Sequence, residues 1–330
     1  MAFNGDALQK LAARFLALAE KQGAALPLIV GHRLMGVSLL FTGNLVDARD
    51  HFDRSVALYD PAQHRASAAR FGQDLGAAVL AIRSLAQWLL GYGEGAAATA
   101  DQALEIARNS GQAATLMFVL FFISSLHFLT GNYATAAAQA QELLALAEEK
   151  LASFWTAGAT LLQGCILAST GRPSDAVQLI ASGLATSQAT GTTFWSPLYQ
   201  SYLAKAHAEL GNFVDAWRCI AEATRAVETT KETMFEAELY RIAGEIVLKS
   251  PQPDVAKALA YFERALAVAR KQQAKSLELR AAMSMARLWR DQGKHAAARD
   301  LLAPLYNWFT EGFDTLDLKE AKALLAELAP

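Results

Sequence analysis

Paired charges recur on otherwise apolar stretches of this 330-residue chain. Glu238 and Arg241 lie three residues apart, while Glu278 follows Glu238 by 40 residues and is itself followed by Arg280. If these stretches are helices, Glu238 and Arg241 are neighbours and stabilise their helix by roughly a few tenths of a kcal/mol. The alternative is the polar floor of a binding groove, because an arginine offers two parallel N–H donors to a carboxylate or a phosphate. The tyrosines expected beside this floor are Tyr199, Tyr202 and Tyr240.

Large aromatic rings recur in the same apolar stretches at 40-residue steps. Trp155, Trp195 and Phe235 form this series. One interpretation is packing between repeats, since large rings most often fill protein cores. The other is a platform for a ligand or a peptide, in which aromatic anchors supply most of the binding energy.

The sequence contains no recognised arrangement of catalytic or metal-ligating residues. Gly293 and Lys294 are followed by His295, so the hydroxyl residue of a phosphate-binding loop is missing. The six histidines show no metal-ligand spacing, and neither cysteine has a neighbouring histidine that would activate it as a nucleophile. We therefore predict that the chain is not an enzyme and that it binds no metal and no cofactor.

The elements that position these residues are marked by a glycine that ends an apolar stretch. Three of the five intervals between markers are 40 residues, and the last, 82, is close to two such steps. The turn at Pro251 to Pro253 stands where one marker is missing. Glycine suits the end of a helix because it adopts the left-handed conformation without a steric cost. The markers are Gly43, Gly91, Gly131, Gly171, Gly211 and Gly293.

Each marker is followed by a small residue five places later and by an apolar residue four places after that. The small residues are Ala48, Ala96, Ala136, Ala176, Ala216 and Ala298, and the apolar residues are Phe52, Ala100, Ala140, Ile180, Ile220 and Leu302. An apolar helix before the glycine and an amphipathic helix after it make a helical hairpin. A period near 40 predicts an all-α, right-handed α-solenoid of tetratricopeptide-like hairpins.

The chain is predicted to be one solenoid over residues 1–330. Residues 5–22 are a half-repeat, because Ala7 and Leu11 repeat the spacing of Ala48 and Phe52. Seven hairpin units extend to about residue 309, and residues 314–328 form a capping helix. Since solenoids need polar caps, an opening half-repeat suggests a piece of a larger protein or a surface covered by a partner.

The first interval between glycines is longer than the others, which places an insertion between about residues 60 and 76. Loops that break the period of a repeat often map to a binding face, whereas the plainer interpretation is a solvated connection. The polar residues of this insertion are His64, Arg65, Arg70, Gln73 and Asp74.

Composition excludes some partners. A net charge of −2 and a pI of about 6.3 provide no general attraction for nucleic acid. The most apolar run, residues 114–130, is shorter than the ~20 residues of a membrane span. Cys165 and Cys219 have no paired spacing and are expected to be buried thiols in a cytoplasmic protein.

Several stretches resemble the C-terminal tetratricopeptide-like repeat region of bacterial multidomain signalling proteins. In that family a class III adenylate or guanylate cyclase domain, or another output domain, precedes an AAA-type ATPase domain and then the repeats. The resemblance implies a regulatory or scaffolding module, and cyclase or ATPase activity does not carry over because those domains are not in this sequence. The stretches are YDPAQHR (59–65), FGQDLG (71–76), WLLGY (88–92), FEAELYRIAGE (235–245), KQQAKSLELRAAMSMARLWRDQGK (271–294) and WFTEGFDTLDLKEAKALLAEL (308–328).

Two functions follow from these expectations. The first is a scaffold that binds a protein, a peptide or another domain of the parent protein. The second is a sensor that binds a small-molecule effector in the superhelical groove. A homodimer through the N-terminal half-repeat is a further expectation, because Phe15 and Leu16 would be exposed there.

Overall fold

The spacing of glycines and alanines in the sequence is realised as a series of paired helices. The computed structural model describes residues 3–65 and 68–329. Within these ranges every regular element is a helix. In chain order the helices are α1 Gly5–Gln22, α2 Ala25–Phe41, α3 Leu45–Leu58, α4 Pro61–His64, α5 Ala68–Phe71, α6 Leu75–Leu89, α7 Gly93–Ser110, α8 Ala113–Leu129, α9 Tyr133–Glu149, α10 Ser153–Ser169, α11 Pro173–Ala189, α12 Ser196–Glu209, α13 Phe213–Thr230, α14 Glu236–Lys249, α15 Val255–Gln272, α16 Lys275–Asp291, α17 His295–Trp308 and α18 Leu316–Glu327.

The long helices pack as hairpins that stack on one another. In each hairpin an apolar first helix packs against the second helix that follows it, and the second helix also contacts the first helix of the next hairpin. The pairs are α2 with α3, α6 with α7, α8 with α9, α10 with α11, α12 with α13, α14 with α15, and α16 with α17. Helix α1 packs on α2, and α18 packs on α16 and α17. The fold is therefore the all-helical solenoid that the sequence predicts, while its division into numbered repeat units stays our interpretation.

The expected register of the hairpins is confirmed. All six marker glycines have left-handed backbone angles, for example a φ of 81° at Gly131. The six alanines at the fifth position are fully buried, as are the apolar residues at the ninth. Small side chains let the two helices of a hairpin approach closely, and the ninth residue fills the space towards the next hairpin.

The superhelix is wound so tightly that it contacts itself. The C-terminal end of each of three early first helices meets the start of a later one: α2 meets the segment before α14, α6 meets α16, and α8 meets α18. The Thr233 N–H donates to the Phe41 carbonyl at 2.9 Å, and the Leu316 N–H donates to the Thr130 carbonyl at 3.3 Å. Between them, the Ser276 hydroxyl donates to a carbonyl at the end of α6. These contacts satisfy carbonyl groups that a helix end leaves without a partner.

This closure changes the expected shape of the groove. Most side chains of the first helices are buried rather than lining an open groove. Among the described helices, none has the length and apolarity that crossing a membrane requires. Cys165 and Cys219 are free and buried, as expected.

Candidate functional site

A polar cavity of about 120 Å³ lies inside the superhelix, between the first helices of its last three hairpins and α18. Its wall also includes the end of α8 and the start of α9. The polar residues that line it are Tyr133, Ser169, Tyr202, Lys205, Glu238, Arg241, Arg280, Arg287, Asp317 and Glu320. Because so many polar groups converge in an otherwise apolar interior, this cavity is the candidate site.

Glu238 on α14 is the most buried charge of the cavity, with 1% of its surface exposed. Arg241, one helical turn later, binds it with two parallel hydrogen bonds of 2.7 and 2.8 Å. The Tyr202 hydroxyl donates to the same carboxylate at 3.3 Å. Burial alone would raise the pKa of Glu238, but the neighbouring guanidinium groups of Arg241 and Arg280 lower it to about 2. Glu238 is therefore a carboxylate whose acceptors are already used by protein donors.

Arg280 on α16 joins the cavity to α18. Its Nε donates to Asp317 Oδ2 at 2.8 Å, and its Nη1 lies 3.8 Å from Glu238 Oε1. A third donor, Nη2, binds the Leu129 carbonyl at the end of α8. The guanidinium also lies over the Trp88 ring, 5.3 Å from its centroid. One side chain of α16 thus contacts four other helices: α6, α8, α14 and α18.

Lys205 on α12 differs from the other charges because it makes no ion pair with any residue that the structure describes. Its Nζ lies 5.8 Å from the centroid of the Tyr202 ring. Burial, followed by repulsion from Arg241, lowers the pKa of this lysine. The carboxylates of Glu245, Glu238 and Glu209 oppose this shift, so the cavity offers an ammonium group that has acidic neighbours but no direct ion pair.

The remaining charges in the cavity wall and beside it form ion pairs with one another. Glu245 accepts hydrogen bonds from Arg241 and, at 3.0 Å, from the Ser284 hydroxyl. Arg287 and Glu320 pair at 2.6 Å near the surface. With the carboxylates held by arginines and Lys205 unpaired, the arrangement suits an anionic group such as a carboxylate.

Only part of the predicted charged floor is assembled here. The structure brings Tyr202, Glu238, Arg241 and Arg280 together in the cavity. Glu278 lies elsewhere and binds Lys275 at 2.7 Å and Arg270 at 2.9 Å.

The other two predicted tyrosines also lie outside the cavity. Tyr240 faces α15, where the Arg264 guanidinium lies 4.0 Å from its ring centroid. Tyr199 is buried beside Trp195 in an aromatic cluster. Like these tyrosines, Glu238 and Glu278 have different surroundings although they occupy similar repeat positions.

The aromatic series forms a packed cluster around Phe121. Trp195 lies 5.2 Å from the Phe121 ring and 5.5 Å from Phe235 between centroids. Trp155 contacts Phe121 at 5.8 Å and is partly exposed. Since Trp195 and Phe235 are almost completely buried, neighbouring side chains cover their faces.

Most polar residues of the insertion form contacts within the insertion or with helices that pack beside it. Asp74 caps α6 by accepting from the Ala77 N–H at 3.0 Å, and it also accepts from the Tyr59 hydroxyl. His64 Nδ1 accepts from the Asp60 N–H at 2.9 Å. The structure places none of the five residues in the polar cavity. The other three are Gln73 against the Arg33 guanidinium, Arg70 over the Phe71 ring, and Arg65 on the surface.

Sequence reasoning missed Lys205 and Asp317. Lys205 could have been found by the criterion that selected Glu238, because it is a charge on a mainly apolar first helix. Asp317 gave no such signal, since it joins the cavity through the packing of α18 on α16, where Arg280 binds it.

Comparison with known proteins places the fold among tetratricopeptide-like helical-repeat solenoids. No family model matches the sequence, and no curated relative matches it. Among solved structures, a Rap protein complexed with Competence and Sporulation Factor is similar at a TM-score of 0.64 and 14% identity, covering 93% of this chain and 78% of that protein.

Two further structures have the same architecture. The Rap conjugation gene regulator of the plasmid pLS20, solved with the Phr* peptide, is similar at a TM-score of 0.62 and 11% identity, covering 92% of this chain and 75% of that protein. Aspartyl phosphate phosphatase F from Bacillus subtilis is similar at 0.57 and 13% identity, with coverages of 92% and 75%. At these identities the likeness concerns the fold alone.

Proposed function

We propose that this chain is a non-catalytic interaction scaffold that binds a carboxylate-bearing peptide or protein segment in the polar cavity. The observation that carries the proposal is Lys205, a largely buried ammonium group without an ion-pair partner among the described residues. An unpaired buried charge is costly, and a ligand carboxylate would offset that cost. Tyr133 and Ser169 add hydroxyl groups on the same wall.

The form of the cavity supports a protruding group rather than a whole globular ligand. It reaches the surface beside Arg287 and Glu320, which are both partly exposed. A side chain or a chain terminus would enter there, while the rest of the partner lies on the outer surface. A solved neighbour of the same fold contains a peptide, which agrees with a peptide ligand for this architecture.

The wider setting is also a proposal. The resemblance of residues 271–294 and 308–328 to the repeat region of cyclase and AAA-type ATPase proteins supports a regulatory module of a bacterial, cytoplasmic signalling protein. In such a module the partner would be a peptide, another protein or another domain of the parent.

Capture of peptides tests the proposal. The immobilised full chain is incubated with a random hexapeptide pool, and the bound peptides are identified by mass spectrometry. We expect enrichment of acidic side chains and free C-termini, with loss of this enrichment for Lys205→Met. The control is Lys249→Met, which removes an exposed lysine that pairs with Glu209 on the surface. If wild type and Lys205→Met capture the same peptides while melting alike, the assignment of this cavity is wrong.

A small-molecule sensor is the second candidate, because Arg280 connects the cavity to α18 through Asp317. A small anion that binds Lys205 would change the electrostatic potential at the ion pair between Arg280 and Asp317. Native mass spectrometry of the purified chain tests this alternative: a bound small molecule that is lost on unfolding, and absent from Lys205→Met, would favour the sensor over the scaffold.

A further inference from the structure

Helix α1 carries an apolar stripe that no described helix covers. Leu11, Phe15 and Leu18 are spaced at four and three residues and are 63%, 38% and 61% exposed. This spacing puts them on one face of the helix. Leu16, which the sequence led us to expect on the exposed surface, is instead buried against α2 beside Gly31.

The repeat pattern shows what kind of element belongs on this stripe. The structure shifts the expected register of α1 by one residue: Leu8 and Ala12 are the fourth and eighth residues of α1, as Ala48 and Phe52 are of α3. Ala12 is buried like Phe52, whereas Ala7 and Leu11, the pair expected from the sequence, are exposed. Every other long second helix contacts two first helices, and the substantial helix contact of α1 is with α2 alone. A helix is therefore the element that fits against α1.

An apolar cavity of about 410 Å³ continues the stripe at its N-terminal end. Leu8 and Leu11 of α1 form one side, and Phe154 and Phe194, at the starts of α10 and α12, form the other. Phe154 is itself 40% exposed. A concave site of this kind accepts a protruding apolar side chain, as in recognition of a helix by a groove.

One edge of the stripe is basic. Lys10, Arg14 and Lys21 are exposed and follow the stripe along the helix, and none of them makes an ion pair within residues 3–65 and 68–329. By helical periodicity Glu20 lies on the opposite side from the stripe. Acidic groups on a docked helix would form ion pairs with these three cations.

We propose that α1 docks an amphipathic helix of a partner protein, with apolar residues on the stripe and aspartates or glutamates along the basic edge. A second copy of this chain fits less well, because antiparallel pairing through the stripe brings the two basic edges against each other. An anionic membrane fits less well because the cavity beside Phe154 is concave. This surface is distinct from the polar cavity and does not depend on its function.

A designed peptide tests the docking surface. The probe is a fluorescein-labelled amphipathic helix of the length of α1, 18 residues, with a leucine stripe and a glutamate edge. Matched peptides replace the glutamates by lysines or by glutamines. Fluorescence anisotropy with the full chain is expected to show the tightest binding for the glutamate peptide, with an affinity that falls as salt rises.

Two variants separate the apolar and the electrostatic contributions. Leu11→Ser with Leu18→Ser should weaken binding of the glutamate peptide by about tenfold or more, whereas Val214→Ser, at another exposed apolar position on α13, should not change it. Reversal of the edge by Lys10→Glu with Arg14→Glu should invert the preference, so that the lysine peptide binds better. These side chains are exposed, so the melting temperature should be retained.

Three results would overturn the proposal. Equal binding of the three peptides, or an unchanged preference after charge reversal, would show that the basic edge takes no part in recognition. Binding to vesicles of phosphatidylglycerol without binding to the peptide would indicate a membrane surface. Sedimentation of the chain as a dimer that Leu11→Ser with Leu18→Ser dissociates would indicate that a second copy covers α1.

Discussion

Replacement of Arg280 by methionine should release α18 from the rest of the solenoid. The variant leaves Asp317 without its 2.8 Å partner and removes the donor to the Leu129 carbonyl. Removal of one partner from a buried ion pair costs about 3 to 5 kcal/mol. The Asp317 side chain is 17% exposed and regains some hydration, so we expect the lower end, about 3 kcal/mol.

Hydrogen exchange of α18 is the suitable measurement, because helical-repeat proteins open locally and their ends open first. A loss of about 3 kcal/mol corresponds to exchange that is about a hundredfold faster in peptides covering residues 316–327. Exchange in α11, which takes no part in the cavity wall, should change far less.

Arg290→Met is the matched control for this prediction. Arg290 also joins α16 to α18, through Glu327, but this pair lies on the surface, where the arginine is 32% and the glutamate 54% exposed. Exposed pairs contribute less than about 1 kcal/mol, so exchange of α18 should rise by less than about fivefold. Equal effects of the two variants, or none from Arg280→Met, would refute the role assigned to the buried pair.

Three shorter predictions concern packing and pH. Gly131→Ala should destabilise the closure, since its Cβ would lie 2.4 Å from Leu316 Cβ, while Gly171→Ala has the same left-handed strain and no neighbour within 4 Å; thermal melts of the two variants isolate the contact. Ala216→Leu should cost roughly 1 to 3 kcal/mol by overpacking a fully buried position, and an unchanged melt would contradict the register. Burial raises the pKa of Glu232 from 4.5 to about 8, so the native state holds a proton that the unfolded state has lost, and this contribution to stability falls as pH rises from about 4.5 to 8. Urea melts of Glu232→Gln should lack that part of the pH dependence, and parallel profiles for variant and wild type would contradict it.

The sequence was sufficient for the hairpins because their determinants are local. A glycine with left-handed angles, an alanine five residues later and an apolar residue at the ninth position are read within one repeat, as at Gly131, Ala136 and Ala140. Helix α12 begins only at Ser196, because Trp195 just before it adopts left-handed backbone angles.

The candidate site could be predicted only in part because the period does not determine which turns of the superhelix meet. Arg280 binds a carbonyl 151 residues earlier in the chain, and no 40-residue pattern indicates that contact. Glu238 and Glu278 looked equivalent in sequence, yet Glu278 has Lys275 and Arg270 beside it and takes no part in the cavity. A charge on an apolar helix thus indicates an inner polar site without indicating its partners.

Closure of the superhelix also bears on how a bound ligand could be sensed. Arg280 contacts Glu238, Asp317 and the end of α8, so the cavity retains its present form only while α18 is in place. If a ligand binds the closed form of the cavity better than an open form, closure strengthens its binding. By linkage, the bound ligand then stabilises the packed position of α18 by the same free energy. If the proposed carboxylate ligand binds beside Lys205, it should slow hydrogen exchange in α18. Arg280→Met should then weaken binding of this ligand, although Lys205 itself is unchanged. Coupling of this kind requires no new contact between the ligand and α18, because Arg280 already joins the cavity to α18.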